Sequence, residues 1–316
     1  MIRIALLLIA IGLSAGPALA QGTLPVRTIH IKQETKHDLV DVSYPQTGVK
    51  AIDRDVAAEI AALRRQFAYD PSDTYSSHYS LDVSYAVARN DAKLFIVVLN
   101  IESDSGGAHP NHDIETLSYL MPDGWRIYLP EIFDGTRALK RISALAVRNL
   151  TKEIGGPNSL TDADWIARGA GPDWSNFEAF VLTPQSLVLY FPDYQVAAYA
   201  AGAQQTEIPL SALRDVMRRD WRTPVASFDC AKSALAIERA ICSDVTLARL
   251  DRDVALAYVR RLRSAEDAPH REAVREDQRH WAAGRAAACL AGPGQVRCLQ
   301  RLYGTRLEAL KAGQGR

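Results

Sequence analysis

Phe228-Asp229-Cys230, Ile241-Cys242-Ser243-Asp244, Gln278-Arg279-His280-Trp281, Arg285, Cys289, Cys298-Leu299, Tyr303 and Arg306 mark out the last part of the 316-residue chain. All four cysteines lie beyond residue 229, on a framework that is helical throughout. An even count in a chain that opens like an exported protein reads as two disulfides, and four cysteines permit three connectivities. The local pairs Cys230–Cys242 and Cys289–Cys298 are favoured because each closes a short loop beside a helix end. Zinc binding is the rival reading, and neither pair has the close cysteine spacing that zinc sites show. With no Cys/His pairing, all four are expected to be structural and none an activated nucleophile.

The helices around these cysteines follow from period and caps. Ser243-Asp244 caps a predicted helix over 245–263, with Leu247, Leu250, Val254, Ala257 and Leu262 on one stripe. Ala268-Pro269 is read as a turn. A second helix, 270–288, places Val274, Gln278, Trp281, Arg285 and Cys289 on one face. Gly292-Pro293-Gly294 breaks it, and a third helix carries Leu299, Leu302, Arg306 and Leu310. A bundle this small buries a limited core, so covalent staples make physical sense.

On these cysteines and their neighbours, the segment resembles the LprI-like domain, a small cysteine-bonded helical module named for a lysozyme inhibitor. Trp281, Arg285, Tyr303 and Arg306 match positions of that family. The helical spacing suggests that Trp281 and Tyr303 pack between helices under an arginine stem. Fold-specifying packing is the favoured role of these four, and inhibitory contact the alternative.

The chain starts Met1-Ile2-Arg3, runs apolar from Ile4 to Leu13 and reaches Ala18-Leu19-Ala20, the pattern of a secretory signal peptide cut after Ala20. The apolar run is too short for a comfortable membrane span, so no span is expected after cleavage. The expected location is periplasmic or secreted. Overall charge is formally zero, with 37 basic and 37 acidic side chains. The halves differ: residues 227–316 hold 16 Lys/Arg against 11 Asp/Glu, and the mature part before them 20 against 26. Such asymmetry bears on partners rather than fold. An acidic N-terminal part would attract a cationic protein, and nucleic acid is not an expected partner.

Two domains are expected: residues 21–220, then a linker over 221–226, then 227–316. Before the linker, strand and helix signals mix. Extended segments are predicted at 26–32 and 39–44, followed by an amphipathic helix over 50–67 with Ile52, Val56, Ile60, Leu63 and Phe67 inward. Strands follow at 79–87, 93–101 and 111–120, the first two joined by a turn at Asp91. A helix over 137–152 ends at Gly155-Gly156-Pro157. A hairpin of 177–181 and 186–191, a strand at 206–208 and a short helix near 210–217 complete the pattern. The fold class is α+β, an antiparallel sheet with helices on one face, plus the small disulfide-bonded helical bundle.

Gly106-Gly107-Ala108-His109-Pro110-Asn111 resembles the signature of the RsiV-like extracellular domain. Leu182-Thr183-Pro184, then Tyr190-Phe191-Pro192-Asp193-Tyr194-Gln195-Val196 and Ala200-Ala201-Gly202, are similar to that family's closing hairpin. Ala198 departs from it, since proline is usual there. The likeness covers roughly residues 25 to 218. It implies an exported or membrane-anchored setting, as in a lysozyme-sensing anti-sigma factor and certain peptidoglycan deacetylases. The deacetylases carry catalysis on a separate module not found in this sequence, and no anti-sigma segment or retained span is read here.

Candidate chemistry centres on the same motif. His109 and His112 could form a metal or acid–base site, but His109 precedes Pro110 in a glycine turn and strand alternation separates His112 from Asp113. His109 is therefore read as a turn-setting residue hydrogen-bonded to nearby backbone. Gly106 and Gly107 are read as supplying backbone angles closed to other residues. Tyr190, Phe191, Tyr194 and Tyr199 form an aromatic cluster, mostly core, with any exposed member an interface anchor. No hydrolase or phosphate-loop motif is present. The expectation is thus a non-enzymatic binding protein without metal or cofactor. Its expected partner is lysozyme or another muramidase, blocked by occlusion. The alternatives are peptidoglycan binding without inhibition and, last, an enzyme acting on wall polysaccharide.

Overall fold

The computed structural model describes residues 23–70, 72, 78–133, 135–156, 159–223, 226–263, 265 and 267–312. The expected signal peptide and its cut after Ala20 lie outside these residues, as do Pro157 and, within the expected linker, Pro224-Val225. No described helix is long and apolar enough to cross a membrane. The fold is α+β, and two compact units divide it. The first comprises residues up to 60, 69–129 and 140–213; the second comprises 61–68, 130–139 and residues from 214 onward.

The first unit is built on a six-stranded sheet in sequence order: β1 (Arg27–Glu34), β2 (Asp38–Gln46), β3 (Tyr79–Asn90), β4 (Leu94–Asp104), β5 (Asn111–Leu120) and β6 (Trp125–Arg126). Every pair is antiparallel except β2 with β3, which is parallel. The helix α1 (Lys50–Gln66) lies between those two strands in the chain, and a parallel pair requires such a crossover. Ile52, Val56, Ile60 and Leu63 of α1 are buried, as their spacing predicts. Each such side chain removed from water contributes roughly 1.5–3 kcal/mol. In β4, Leu94 through Leu99 are all buried, which is what an apolar run without alternation signifies in a central strand.

After the short helix α2 (Leu129–Ile132) comes α3 (Gly135–Ile154), whose Ala138, Ile142, Ala146 and Leu150 form the buried stripe. A further helix, α4 (Ala163–Gly169), was not among the expected elements. Asp162 caps it by accepting from the Trp165 N–H at 2.7 Å. A second sheet holds β7 (Phe180–Leu182), β8 (Ser186–Phe191) and β9 (Gln204–Pro209). It is tied to the first sheet where the Phe180 N–H donates to Thr116 Oγ1 at 2.9 Å and Arg89 donates to the Leu182 carbonyl at 2.7 Å. Two expectations fail here. Phe177 closes a 3-10 turn instead of opening a strand, because Asp173 caps that turn from in front. The helix expected near 210–217 is only a 3-10 turn at Leu210–Ala212, started by Pro209 and not continued.

In the second unit, α5 (Ala236–Ser243), α6 (Val245–Arg263), α7 (Ala268–Ala288) and α8 (Gln295–Ala312) enclose a core of Ile237, Ile241, Leu247, Val254, Leu299, Tyr303 and Leu310. Asp244 caps α6 through the Leu247 N–H at 2.8 Å. Ala268-Pro269 does not turn the chain; it is the first turn of α7, capped by Asp267. Proline fits there because a first-turn residue has no intrahelical N–H bond to lose. The disulfides are Cys230–Cys242 and Cys289–Cys298.

Candidate functional site

Two constellations of aromatic and charged side chains stand out. The first is assembled from both halves of the RsiV-like stretch. The loop after β4 turns at Gly106, whose φ of +87 favours glycine, and its N–H donates to Asp104 Oδ1 at 2.7 Å. Gly107 has no such requirement, contrary to expectation: a Cβ there would meet only the His109 carbonyl oxygen at 3.7 Å. The His109 ring stacks on Tyr199 with centroids 3.7 Å apart. His109 Nδ1 lies 2.9 Å from the Pro110 carbonyl, which can only accept, so Nδ1 carries the proton. In the neutral ring, Nε2 then accepts from the Tyr194 hydroxyl at 3.0 Å.

His112, on β5, stacks on Tyr199 at 5.7 Å, so Tyr199 touches both histidines. Nδ1 of His112 is 3.1 Å from Asp193 and Nε2 is 3.4 Å from Glu102. The Asp193 side chain is only 6% exposed, whereas that of His112 is 44% exposed. Burial, with Asp193 nearby, raises the Tyr199 phenol above its usual value. Glu102 and His112 end a row in which Lys32, Asp41, Asp82, Glu102 and His112 stand opposite one another on five successive strands. Desolvation and the flanking Asp41 and Glu102 carboxylates raise Asp82, while a hydrogen bond from His30 lowers Asp41.

Tyr194 projects from the turn between β8 and β9 at a φ of 66, and half of it is exposed. That backbone is uncommon for a bulky residue and is held from outside. Trp165 of α4 donates to the Tyr194 carbonyl at 2.9 Å. Gln195 donates to the carbonyls of Gly169 and Asn176 at 2.8 and 3.0 Å. A Cβ on Gly169 would sit 1.9 Å from the Gln195 carbonyl oxygen, so α4 and the turn meet where a side chain has no room. The other aromatics of the expected cluster lie elsewhere. Tyr190 is half-buried on β8, and Phe191 is buried against Phe177. Asn111 begins β5, exposed, opposite Ser103.

The second constellation faces inward. Trp281 and Tyr303 meet edge-on at 4.9 Å, with the Arg285 and Arg306 guanidiniums 5.3 and 5.6 Å from the Trp281 ring. Arg285 donates to the Tyr303 hydroxyl, which donates to buried Asp251 at 3.0 Å. Asp251 also accepts from the Ser227 N–H at 2.7 Å and hydroxyl at 2.6 Å. Burial and the Asp251 carboxylate hold the Tyr303 phenol well above its ordinary value. Arg306 donates twice to Gln278 Oε1 and pairs with Asp277 at 2.7 Å. Nearby on α6, Arg249 lies 2.9 Å from both Glu131 and Asp253, and burial pushes Asp253 up to about 6.

Two families match separate stretches of the chain, and Glu102, His109 and His112 lie outside both. Residues 130–211 match the family described as "Protein of unknown function (DUF3298)", the RsiV-like family, and residues 230–310 match "Lysozyme inhibitor LprI". A DUF3298 domain precedes an LprI domain. Over 187 residues, 57% of the chain, the sequence is 26% identical to the peptidoglycan-N-acetylmuramic acid deacetylase PdaC of Bacillus subtilis. Over 118 residues, 37% of the chain, it is 28% identical to the esterase Rv3036c of Mycobacterium tuberculosis. These alignments cover 39% and 49% of the two relatives, so the chain spans half or less of the curated proteins it matches. Crystal structures of DUF3298 proteins from Bacteroides fragilis and Pseudomonas aeruginosa align with TM-scores of 0.46 and 0.44. Each is 16% identical, covering 63% of this chain and 96% of the other. The inward constellation lies in the LprI match, and Asp193, Tyr194 and Tyr199 lie in the DUF3298 match.

Sequence reasoning missed Trp165, Gly169, Asp193 and Glu102 as parts of the outward site. The cap at Asp162 was a usable signal for α4. Nothing local could have paired Glu102 with His112 or Gly169 with Gln195.

Proposed function

We propose that the chain is an exported, non-enzymatic binding protein that recognises lysozyme or a related muramidase and blunts it by occlusion. The observation that carries this reading is the LprI match over residues 230–310. The acidic balance before residue 227 suits a cationic partner, because opposite charge steers encounter and disfavours wrong partners. We further propose residues 21–220 and 227–316 as its two sequence domains, and a periplasmic or secreted location after cleavage at Ala20.

The test is lysozyme turnover on cell-wall substrate titrated with the full mature chain, with direct binding to immobilised lysozyme measured alongside. Dose-dependent inhibition that tracks binding is the expected result. No binding to chicken-type, goose-type or invertebrate-type lysozyme would overturn the reading. The names of the two curated relatives favour a second reading, hydrolysis of wall or ester substrates. Release of acetate from peptidoglycan, or ester turnover by the purified chain, would displace the non-enzymatic assignment.

A further inference from the structure

We propose that the outward face formed by His109, His112, Asp193, Tyr194 and Tyr199 binds a saccharide without anionic groups, a short run of hexose or hexosamine units. Four features of that face lead there, and none depends on the lysozyme reading.

Sign comes first. Asp193 and Glu102 flank His112, and the row behind them adds Asp82, while Asp41 beyond it is paired with His30 and Lys32. Such a surface repels phosphate-bearing and other anionic polymers and leaves neutral or cationic ligands. Size then separates a protein partner from a small ligand. A stable protein interface takes about 800 Å² and some 20–30 residues from each side. Five clustered side chains fall well short of that but match one to three sugar rings.

Shape agrees. The rings of Tyr199 and the two histidines lie within 19° of parallel, and Tyr194 is inclined to Tyr199 by 31°. Flat faces suit the C–H face of a pyranose. Imidazole, phenol and carboxylate groups at their rims suit hydroxyls in the sugar plane. The last feature is strain. Tyr194 is held at positive φ by Trp165 on its own carbonyl, with Gln195 anchored beside it, and this leaves its ring half exposed. The Tyr194 hydroxyl reaches His109, yet half of the residue stays in solvent, and strain maintained by surrounding structure is a pointer to binding.

The experiment is calorimetric titration of the full chain with N-acetylglucosamine hexamer and with cellohexaose, in the absence of any lysozyme. Tyr194→Gly is the decisive variant, because glycine accepts this φ and the fold should survive; circular dichroism and melting check it. The expected result is saturable binding of at least one oligosaccharide, weakened about five- to hundred-fold in Tyr194→Gly, by analogy with the loss of one aromatic stacked on a nucleobase. Tyr194→Phe keeps the ring and should retain binding. No saturation by about 10 mM ligand, a level that would reveal even millimolar affinity, overturns the proposal. So does binding that Tyr194→Gly leaves unchanged. Loss of lysozyme binding in Tyr194→Gly, with no saccharide bound by the parent chain, would assign the face to a protein instead.

Discussion

The two constellations use nearly the same residue types and put them to opposite use. In the first unit, histidine, tyrosine and carboxylate groups converge on a strained turn and stay at the surface. In the second, tryptophan, tyrosine, arginine and carboxylate groups converge on Asp251 and are consumed by packing. Tyr303 is fully buried, while Tyr194 is half exposed. Aromatic and charged residues that match a family can therefore define its fold in one domain and stay at the surface in another.

The inward cluster should break most severely. Asp251→Ala leaves the Tyr303 O–H and the Ser227 N–H without their acceptor, and losing buried hydrogen bonds to a charged group costs about 3 kcal/mol. Urea unfolding should show that loss; less than about 1 kcal/mol would mean the network is not buried as described.

Replacing both Cys289 and Cys298 with serine should cost about 2–3 kcal/mol, the value for a short closed loop. A change in the denaturation midpoint of the oxidised protein, absent when both parent and variant are measured in reductant, checks it.

The Arg249 cluster gives the contrast a pH axis. Asp253 has a folded value of about 6 against 3.8 unfolded, so its proton is bound more tightly in the native state. Its stabilising contribution is full below about pH 3.8 and is lost as pH rises towards 6. Asp253→Asn cannot titrate, so its melting temperature relative to the parent should climb between pH 4 and 6.5 and then level off. A difference flat across that interval contradicts the shift.

The outward face should matter least to stability. In Tyr194→Gly, relief of the positive φ offsets part of the added freedom of the unfolded chain and of the lost exposed hydrogen bond to His109, leaving a loss of about 1 kcal/mol. A larger loss in chemical denaturation would make Tyr194 a packing residue after all.

Period and capping made much of the fold legible. The helix at 245–263 and the strand at 111–120 emerge with their expected bounds, since each has an uninterrupted pattern between clear stops. Errors cluster where one residue type has two meanings. Pro269 is a helix starter as readily as a turn residue, and Phe177 suits a strand until Asp173 caps the turn before it. The parallel pairing of β2 with β3 was hidden because α1 can be followed by a strand of either direction. For the outward site, both motifs could be read as family likeness, but their meeting could not. His109 and Tyr194 are 85 residues apart and His112 and Asp193 are 81 apart, and no local pattern encodes a contact of that range.

Each disulfide closes within its own neighbourhood, over 12 and 9 residues. Neither joins the beginning of the helical bundle to its end. In a chain that emerges N-terminus first into an oxidising compartment, Cys230 and Cys242 can therefore be sealed before α7 has appeared. Cys289 finds its mate as soon as α8 begins. Oxidation in that order would give the native pairing with no long-range mistake for an isomerase to undo. The order in which the thiols arrive is already the order in which they belong.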